Sequence, residues 1–351
     1  MSVEDEQADR EADVSLGAPV VVITGASAGV GRAIADAFAA QGWRVALIAR
    51  GRERLIAARA GVARQAASAL MFCVDVADAA ALEEAAASIV RTWGGIDIWI
   101  NNAMATMFAP FAEIPAADFK RVVEVTFLGQ VNGTRAALKH MRPRGRGTIV
   151  QVNSALAVRS IPLQSAYCAS KAAVRGFTDA LRSELLHEKC GIRLTDVYLP
   201  AVNTPQFDWA RSLLPRRLRP VAPVFQPETI AAAIMRAALA APREVWIGRP
   251  TVQAILGNAS VPGWLDRWLA RTAWSGQMTH EPATGQHTGN LYEPVKADVA
   301  AHGRFDESSR NRVHTYRPSG VRLGLFLAAL SVGLLGLRAV IPGRRRAMRA
   351  H

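Results

Sequence analysis

Short apolar runs alternate with segments of helical spacing from residue 18 to about residue 250. The runs are rich in β-branched residues and predict buried strands at 19–25, 44–49, 69–76, 96–103, 148–154, 192–200 and 244–248. The segments between them predict helices at 29–41, 51–66, 81–94, 116–141, 165–188 and 227–241. This alternation predicts an α/β fold with a doubly wound, Rossmann-like parallel sheet of about seven strands. The ligand site of such a sheet lies at the carboxyl ends of its strands.

Four regions follow one another along the chain. Residues 1–17 are acidic and polar and predict a disordered lead. Residues 18–250 form the predicted domain, residues 251–320 an extension without a predicted role, and residues 321–351 an apolar helix with a basic end. Within the extension, 263–274 predicts a helix with one apolar face. That face either packs on the core or a dimer partner, or it lies at a membrane surface or a substrate mouth.

An apolar stretch near the C-terminus, residues 323–341, is interrupted by one charge, Arg338. Roughly 20 apolar residues cross a bilayer, and an arginine close to the end of a span can reach the headgroups. We therefore expect membrane attachment, either spanning or half-inserted, with a buried helix or a dimer contact as the alternative. Arginines flank both ends, so the charge does not decide an orientation.

Charge and cysteine content exclude several classes of function. The formal net charge is +13, and residues 308–351 carry nine arginines and no acidic residue. Because most of the excess lies in the tail, the domain has no broad basic face, and we expect no nucleic-acid partner. Three cysteines without a CxxC pair predict neither a disulfide framework nor a cysteine-based metal site. They fit a reducing compartment, so we expect a cytoplasmic catalytic domain and no metal.

The first predicted strand leads directly into the sequence TGASAGVG at 24–31. Gly25, Gly29 and Gly31 permit a tight turn and let backbone N–H groups approach a phosphate at the start of the next helix. A glycine-rich turn in this position predicts a dinucleotide cofactor.

The end of the second predicted strand indicates which dinucleotide is bound. A site that prefers NAD(H) places an acid there for the ribose 2′-hydroxyl. This chain has Ala49 followed by Arg50, with Arg52 and Arg54 close behind. A cation in place of the acid suits a 2′-phosphate, so NADP(H) is the predicted cofactor and NAD(H) the alternative.

Two later strand ends complete the predicted cofactor site. Asp75 and Val76 lie at the end of the third strand, where an adenine ring would lie. The sequence Asn101-Asn102-Ala103-Met104 lies at the end of the fourth strand, and its side-chain amides can tie neighbouring strand ends together.

Three residues carry the predicted chemistry. Tyr167 and Lys171 are spaced i and i+4 on a helix and so face the same way. Ser154 ends the preceding strand. An ammonium one turn from a phenol favours the phenolate and lowers the phenol pKa. Tyr167 is then predicted to exchange a proton with a carbonyl or alcohol oxygen, and Ser154 to donate a hydrogen bond to that oxygen.

Together the TGASAGVG turn, the NNA turn, Ser154, the YCASK sequence and the LPAVNTP sequence resemble the short-chain dehydrogenase/reductase family over about residues 18–250. The resemblance implies a homo-oligomer in which Ser154, Tyr167 and Lys171 are catalytic. It also implies a set of cofactor-binding residues: Thr24, Gly25, Ser27, Gly29, Val30, Gly31, Arg50, Asp75, Val76, Asn102, Tyr167, Lys171, Pro200, Val202 and Thr204.

Three positions depart from the family pattern. Met104 stands where the family has glycine, Ala201 follows Pro200 where glycine is usual, and Thr126 stands where the family has a catalytic asparagine. In the family, that asparagine holds a water molecule that relays protons from the lysine. Thr126 therefore puts this proton relay in doubt.

The predicted activity is hydride transfer between the nicotinamide of NADP(H) and a carbonyl or secondary alcohol. The apolar loop 203–225 predicts a lipophilic small-molecule substrate, which Met104, Ser154, Phe207 and Trp209 would contact. Two alternatives stay open. One is NAD-dependent alcohol oxidation, and the other is a non-catalytic dinucleotide-binding protein tethered to a membrane.

Overall fold

A computed structural model describes residues 17–283, 289–296 and 301–319. Its central sheet has eight strands in the order β15-β12-β7-β6-β4-β1-β2-β3. These strands are β1 (Val20–Thr24), β2 (Arg44–Ala49), β3 (Ser68–Cys73), β4 (Ile98–Asn101), β6 (Gly147–Ser154), β7 (Ile192–Leu199), β12 (Glu244–Ile247) and β15 (Thr315–Tyr316). The remaining strands are short and lie outside the sheet: β5 (Met107–Phe108), β8 (Ala201–Val202), β9 (Arg211–Ser212), β10 (Arg216–Leu218), β11 (Val224–Phe225), β13 (Met278–Pro282) and β14 (Ser309–Arg310).

Ten α-helices connect these strands within the described residues. They are α1 (Gly29–Ala39), α2 (Arg52–Val62), α3 (Ala79–Trp93), α4 (Ala116–Val123), α5 (Gly129–Met141), α6 (Ser165–His187), α7 (Gln206–Trp209), α8 (Pro227–Ala240), α9 (Arg249–Ser260) and α10 (Pro262–Gly276). One turn of π-helix, Glu124–Leu128, joins α4 to α5. The segment 116–141 is therefore helical throughout, as predicted, but its helix takes the wider π-helical form around Thr126.

Alternate residues of each strand pack on opposite faces of the sheet. In β1, Val21 and Ile23 join the apolar cluster under α1 and α8, whereas Val20 and Val22 join the cluster under α3, α5 and α6. All four side chains are buried, which explains why β1 reads as a continuous apolar run. The predicted α/β fold is confirmed, and its strand ends converge on one edge.

The C-terminal extension changes the predicted sheet. Seven strands are parallel, as predicted, but β15 adds an eighth, antiparallel strand at the edge beside β12. Its register places Trp246 opposite Tyr316 and Ile247 opposite Thr315. A two-residue strand is too short to show a periodic pattern. The helix α9 was also not predicted.

The predicted helix at 263–274 is present as α10, and its tryptophans do not pack into the core. Trp264 and Trp268 are 59% and 47% exposed, and their rings stack with centroids 6.1 Å apart. Within the part of the chain that the structure describes, no helix combines the length and apolar character needed to cross a bilayer. The predicted apolar helix at 323–341 lies outside the described residues, as does the lead before Gly17.

Candidate active site

A cavity of about 1230 Å³ lies at the carboxyl ends of the parallel strands. Its inner wall contains the ends of β2, β6 and β7 and the turn that follows β1. Its outer wall contains the loop 219–224, α10 and, farther along the C-terminal extension, Asn290 and Pro294. The position is the one that doubly wound sheets use for ligands.

The glycine-rich turn has the geometry that a bound phosphate needs. Gly25 and Gly29 have φ angles of 68° and 57°, values that favour glycine. A Cβ on Gly31 would lie 2.2 Å from the Gly25 carbonyl oxygen, so glycine there lets α1 pack against the turn. The start of α1 has no side-chain cap and no acidic residue in its first turn. Its amide donors are thus available to a pyrophosphate, and the turn fits a dinucleotide.

Thr24 and Asn102 join the end of β1 to the end of β4. The Thr24 hydroxyl accepts hydrogen bonds from the amides of Asn102 (3.0 Å) and Ala103 (3.1 Å). The Asn102 side-chain amide donates to the Thr24 carbonyl oxygen at 3.0 Å. Thr24 is fully buried and does not line the cavity, so its place is behind the cofactor site rather than in contact with it.

The Thr126 hydroxyl forms hydrogen bonds with the backbone just after Met104. Its hydroxyl donates to the Ala105 carbonyl oxygen at 2.7 Å and accepts from the Ala105 amide at 2.9 Å. The side chain is fully buried and does not line the cavity. Thr126 thus holds the turn that carries Met104 against the cavity, and its hydroxyl has no donor hydrogen left for a water relay.

Ser154, Tyr167 and Lys171 line the same part of the cavity, where β6 ends and α6 begins. Ser154 forms a side-chain hydrogen bond with the Tyr167 phenol. The Lys171 ammonium lies 5.7 Å from the centre of the Tyr167 ring and donates to the Val152 carbonyl oxygen at 2.6 Å. The structure therefore brings the three predicted residues together.

Burial dominates the acid–base properties of this group. It raises the pKa of Tyr167 well above that of a free phenol, and the hydrogen bond from Ser154 offsets only part of the increase. Burial also lowers the pKa of Lys171 to about 7, against the attraction of Asp196. The sequence prediction that Lys171 would lower the Tyr167 pKa neglected this burial. Tyr167 is consequently a neutral phenol, suited to giving a proton.

Asp75 and Arg50 lie at the opposite end of the cavity, where the adenosine would bind. The Asp75 carboxylate accepts from the Ala77 amide at 3.0 Å and pairs with Arg121. Burial opposes ionisation of Asp75, but these two hydrogen bonds outweigh it, and the pKa is lowered. Arg50 lies 3.8 Å from the same carboxylate. Its guanidinium also donates to backbone carbonyl oxygens of the segment 290–292, which had no predicted role.

Trp209 lies nearer this adenosine end than its predicted place beside the substrate. The Arg54 guanidinium stacks 4.6 Å from the centre of its ring, and its carbonyl oxygen accepts from the Asn290 amide at 2.9 Å. Phe207, by contrast, packs edge-on against Phe305 with centroids 5.8 Å apart. Both Trp209 and Phe207 line the cavity.

Most of the residues predicted from sequence face one cavity. Those that line it are Gly25, Ser27, Gly29, Val30, Arg50, Asp75, Val76, Asn102, Met104, Ser154, Tyr167, Lys171, Pro200, Val202, Thr204, Phe207 and Trp209. The exceptions are Thr24 and Gly31, which support the wall from behind.

Sequence reasoning anticipated only part of the outer wall. The loop 219–224 falls within the predicted substrate loop 203–225, and α10 contributes Trp264, Leu265, Trp268 and Leu269, whereas Pro294, farther along the extension, was not predicted. The apolar face of the 263–274 segment was a usable signal, because a substrate mouth was one of its predicted roles. Pro294 gave no signal, because an irregular segment carries no periodicity that would reveal its distant contacts.

Comparison with known proteins decides the family. The family described as short chain dehydrogenase matches residues 19–212, more than half of the chain. This protein belongs to the short-chain dehydrogenase family. It is accordingly an NAD(P)-dependent oxidoreductase, and a small-molecule substrate is implied.

Relatives of this short-chain dehydrogenase extend the similarity beyond that match. It is 29% identical to the "Uncharacterized oxidoreductase YxnA" of Bacillus subtilis over 324 residues, which cover 91% of this chain and 90% of the relative. It is 32% identical to a "Fatty acyl-CoA reductase" of Acinetobacter baylyi over 228 residues, 64% of this chain and 75% of the relative. The first of these similarities includes part of the C-terminal extension.

Solved structures of short-chain dehydrogenases agree with the fold. One from Streptomyces avermitilis superposes with a TM-score of 0.61 at 30% identity, covering 74% of this chain and 100% of that chain. An alcohol dehydrogenase from Thermococcus sibiricus, complexed with 5-hydroxy-NADP, superposes with a TM-score of 0.54 at 26% identity. That superposition covers 65% of this chain and 95% of the other.

Proposed function

We propose that this short-chain dehydrogenase is an NADP(H)-dependent carbonyl reductase that acts on a lipophilic ketone or aldehyde. The observation that carries the proposal is the order of groups along one cavity. Glycine amides and arginines line one end, Ser154, Tyr167 and Lys171 line the middle, and apolar side chains of α10 line the other end.

The residues at the first end would hold the dinucleotide. The pyrophosphate would meet the start of α1 through the turn at Gly25 and Gly29, and the adenosine would lie beside Asp75 and Val76. The nicotinamide, when bound, supplies the hydride for reduction or accepts it for oxidation.

Tyr167 and Ser154 would act on the substrate oxygen. In the reducing direction, the Tyr167 hydroxyl gives its proton to the carbonyl oxygen while a hydride reaches the carbonyl carbon, and the product is an alcohol. The Ser154 hydroxyl would donate a hydrogen bond to the same oxygen as negative charge develops there. A phenol whose pKa is raised by burial remains protonated at neutral pH, which supports the reducing direction.

Lys171 would stabilise the phenolate that Tyr167 becomes. Its buried ammonium lies over the Tyr167 ring, and the Val152 carbonyl oxygen holds the nitrogen in place. A positive charge close to a developing anion lowers the barrier most in a buried site, where water screens little of the interaction.

The outer wall supports a lipophilic substrate. Leu265 and Leu269 line the cavity together with Trp264 and Trp268, and pockets of this kind bind apolar ligands by removing their surface from water. Similarity to a protein named fatty acyl-CoA reductase points to the same class, a carbonyl on a long apolar chain.

Three observations support NADP(H) over NAD(H). The residue that ends β2 is Ala49, so the carboxylate that would bind a free ribose hydroxyl is missing there. The side chains of Arg50 and Arg54 both line the adenosine end of the cavity. A solved structural relative is also complexed with an NADP derivative.

The test is nucleotide oxidation with a panel of apolar ketones and aldehydes, with Tyr167→Phe measured in parallel. We expect turnover with NADPH, slower turnover with NADH, and a loss of about 10²- to 10⁴-fold in kcat for Tyr167→Phe. Unchanged NADPH affinity in the variant would locate that loss in proton transfer. Tight NADPH binding without turnover across the panel would favour the non-catalytic alternative.

A further inference from the structure

The C-terminal extension contributes a segment to the adenosine end of the cofactor site. Residues 289–294 lie across it, and within this segment Leu291 is fully buried in the same apolar cluster as Val76. Pro294 covers Gly51, where a Cβ would come within 3.3 Å of it. The Tyr292 hydroxyl donates to the buried Asp118 carboxylate at 2.9 Å. The segment is thus docked by both apolar and polar contacts.

The Arg50 guanidinium donates hydrogen bonds mainly to the backbone of this segment. One of its guanidinium nitrogens donates to the carbonyl oxygens of Leu291 (3.2 Å) and Tyr292 (2.8 Å), and the other donates to that of Asn290 (2.5 Å). Its charge is balanced by Asp75, 3.8 Å away. Arg50 thus stabilises the position of the segment. A phosphate would have to compete with these backbone carbonyl oxygens and with Asp75 for the Arg50 guanidinium.

Arg54, unlike Arg50, has guanidinium N–H donors that no group of the described residues uses. Its Nε and Nη1 atoms are buried and have no hydrogen-bond partner among the described residues, and it forms no ion pair with any of them. Its guanidinium carbon lies over the Trp209 ring, 4.6 Å from the ring centre, a contact that holds the group without using its N–H donors. Burial and the nearby charge of Arg50 both lower its pKa. An anion at this point would relieve both effects.

We propose that Arg54, positioned by Trp209, is the residue that selects the 2′-phosphate of NADP(H), and that Arg50 instead positions the C-terminal segment 289–294 over the adenosine. This assignment rests on the proposed use of NADP(H). It means that Trp209, which lies outside the glycine-turn motif, helps to determine the choice of cofactor, whereas the segment 289–294 contributes to binding the adenosine that both nucleotides share.

The test is equilibrium binding of NADPH and of NADH by titration calorimetry to the full chain. Arg54→Gln should weaken NADPH binding by about 10- to 100-fold, because it removes a charge-assisted hydrogen bond to the phosphate. NADH binding should stay within about twofold, because NADH lacks that phosphate. The matched control is Arg52→Gln, which removes the same charge from an exposed position in the same helical turn. It should change neither affinity by more than about twofold.

Arg50→Gln separates the two arginines. If Arg50 stabilises the position of the segment, its loss should weaken the binding of NADPH and of NADH by similar factors, because both nucleotides contain the adenosine. A selective loss of NADPH binding in Arg50→Gln, with Arg54→Gln unaffected, would overturn the assignment. Equal losses of both nucleotides in Arg54→Gln would also overturn it, since that result places Arg54 at a shared phosphate.

The wild-type titration tests the underlying proposal on its own. Tighter binding of NADPH than of NADH is the expected result. Equal affinities, or tighter NADH binding, would refute the preference for NADP(H) and with it the role of Arg54. Wild-type preference for NADPH combined with an unchanged preference in Arg54→Gln refutes the role of Arg54 alone. Thermal melts of each variant exclude unfolding as the cause of an affinity loss.

Discussion

The inner and outer walls of the cavity differ in how firmly the fold holds them. The inner wall consists of strand ends and the starts of helices, and the strands behind it are buried at nearly every position, as at Ile23. The outer wall is formed by α10, the loop 219–224 and the segment 289–294. There, Trp264 is 59% exposed and Tyr292 is 48% exposed.

This difference separates the two tasks of the site. Groups that move protons must keep their positions within a fraction of an ångström, and Ser154, Tyr167 and Lys171 are carried on the inner wall. Recognition of a lipophilic substrate tolerates looser packing, because the hydrophobic effect is not directional. We therefore expect changes in the inner wall to remove activity or stability, and changes in the outer wall to alter selectivity.

Besides Tyr167→Phe, the largest expected effect on the inner wall is at Lys171. Lys171→Met should lower kcat by about 10²- to 10³-fold, because it removes the cation that stabilises the Tyr167 phenolate. The pKa of Lys171 is about 7, so the wild-type protein loses this charge as the pH rises. We expect kcat/KM for reduction to be highest below pH 7 and to fall as the pH rises through that value, in a profile measured from pH 5 to pH 9.

Lys171→Arg is the matched control for that pH profile. Arginine stays protonated throughout this range, so the fall above pH 7 should disappear even though a larger side chain lowers the overall rate. A fall at the same pH in both proteins would show that another group titrates.

The second prediction compares the stability of the two walls. Ile23→Ala removes a fully buried side chain behind the inner wall and should lower the free energy of unfolding by about 2–5 kcal/mol. Trp264→Ala changes a largely exposed side chain of the outer wall and should lower it by about 0.5 kcal/mol or less. Urea denaturation measures both, and similar losses would contradict the distinction drawn here.

The third prediction concerns substrate length. Trp268→Ala should raise KM for a long-chain ketone by about tenfold, because it removes apolar surface at the cavity mouth. KM for a short ketone such as butanone should not change. Trp274→Ala is a suitable control, because Trp274 is an exposed tryptophan of the same helix that does not line the cavity. Equal increases for both ketones would place Trp268 outside the substrate path.

The smallest effect is expected at Tyr292. Tyr292→Phe removes its hydrogen bond to Asp118, worth about 0.5–1.5 kcal/mol. Amide hydrogen exchange in the segment 289–294 should become faster by a corresponding factor, while exchange in β1 stays the same. Tyr316→Phe, which changes a tyrosine of β15, should leave the segment 289–294 unaffected. Unchanged exchange in Tyr292→Phe would show that the hydroxyl does not help to dock the segment.

The inner wall could be predicted from sequence because its signals are local. A buried strand that runs into a glycine turn, and the i,i+4 spacing of Tyr167 and Lys171, each fix geometry over a few residues. The contacts of Arg50 could not be predicted, since its partners at 290–292 are distant in sequence and lie in an irregular segment. The raised pKa of Tyr167 could not be predicted either, because burial is a property of the folded chain.

The central claim is that hydride passes from NADPH to a substrate carbonyl beside Tyr167. The most direct measurement uses NADPH that carries deuterium at the transferable position, with mass spectrometry of the alcohol formed from a long-chain ketone. We expect an alcohol with one deuterium at the carbinol carbon in the wild-type protein and a rate reduced by about 10²- to 10⁴-fold in Tyr167→Phe. An alcohol without deuterium, or one formed equally fast by Tyr167→Phe, would contradict this claim.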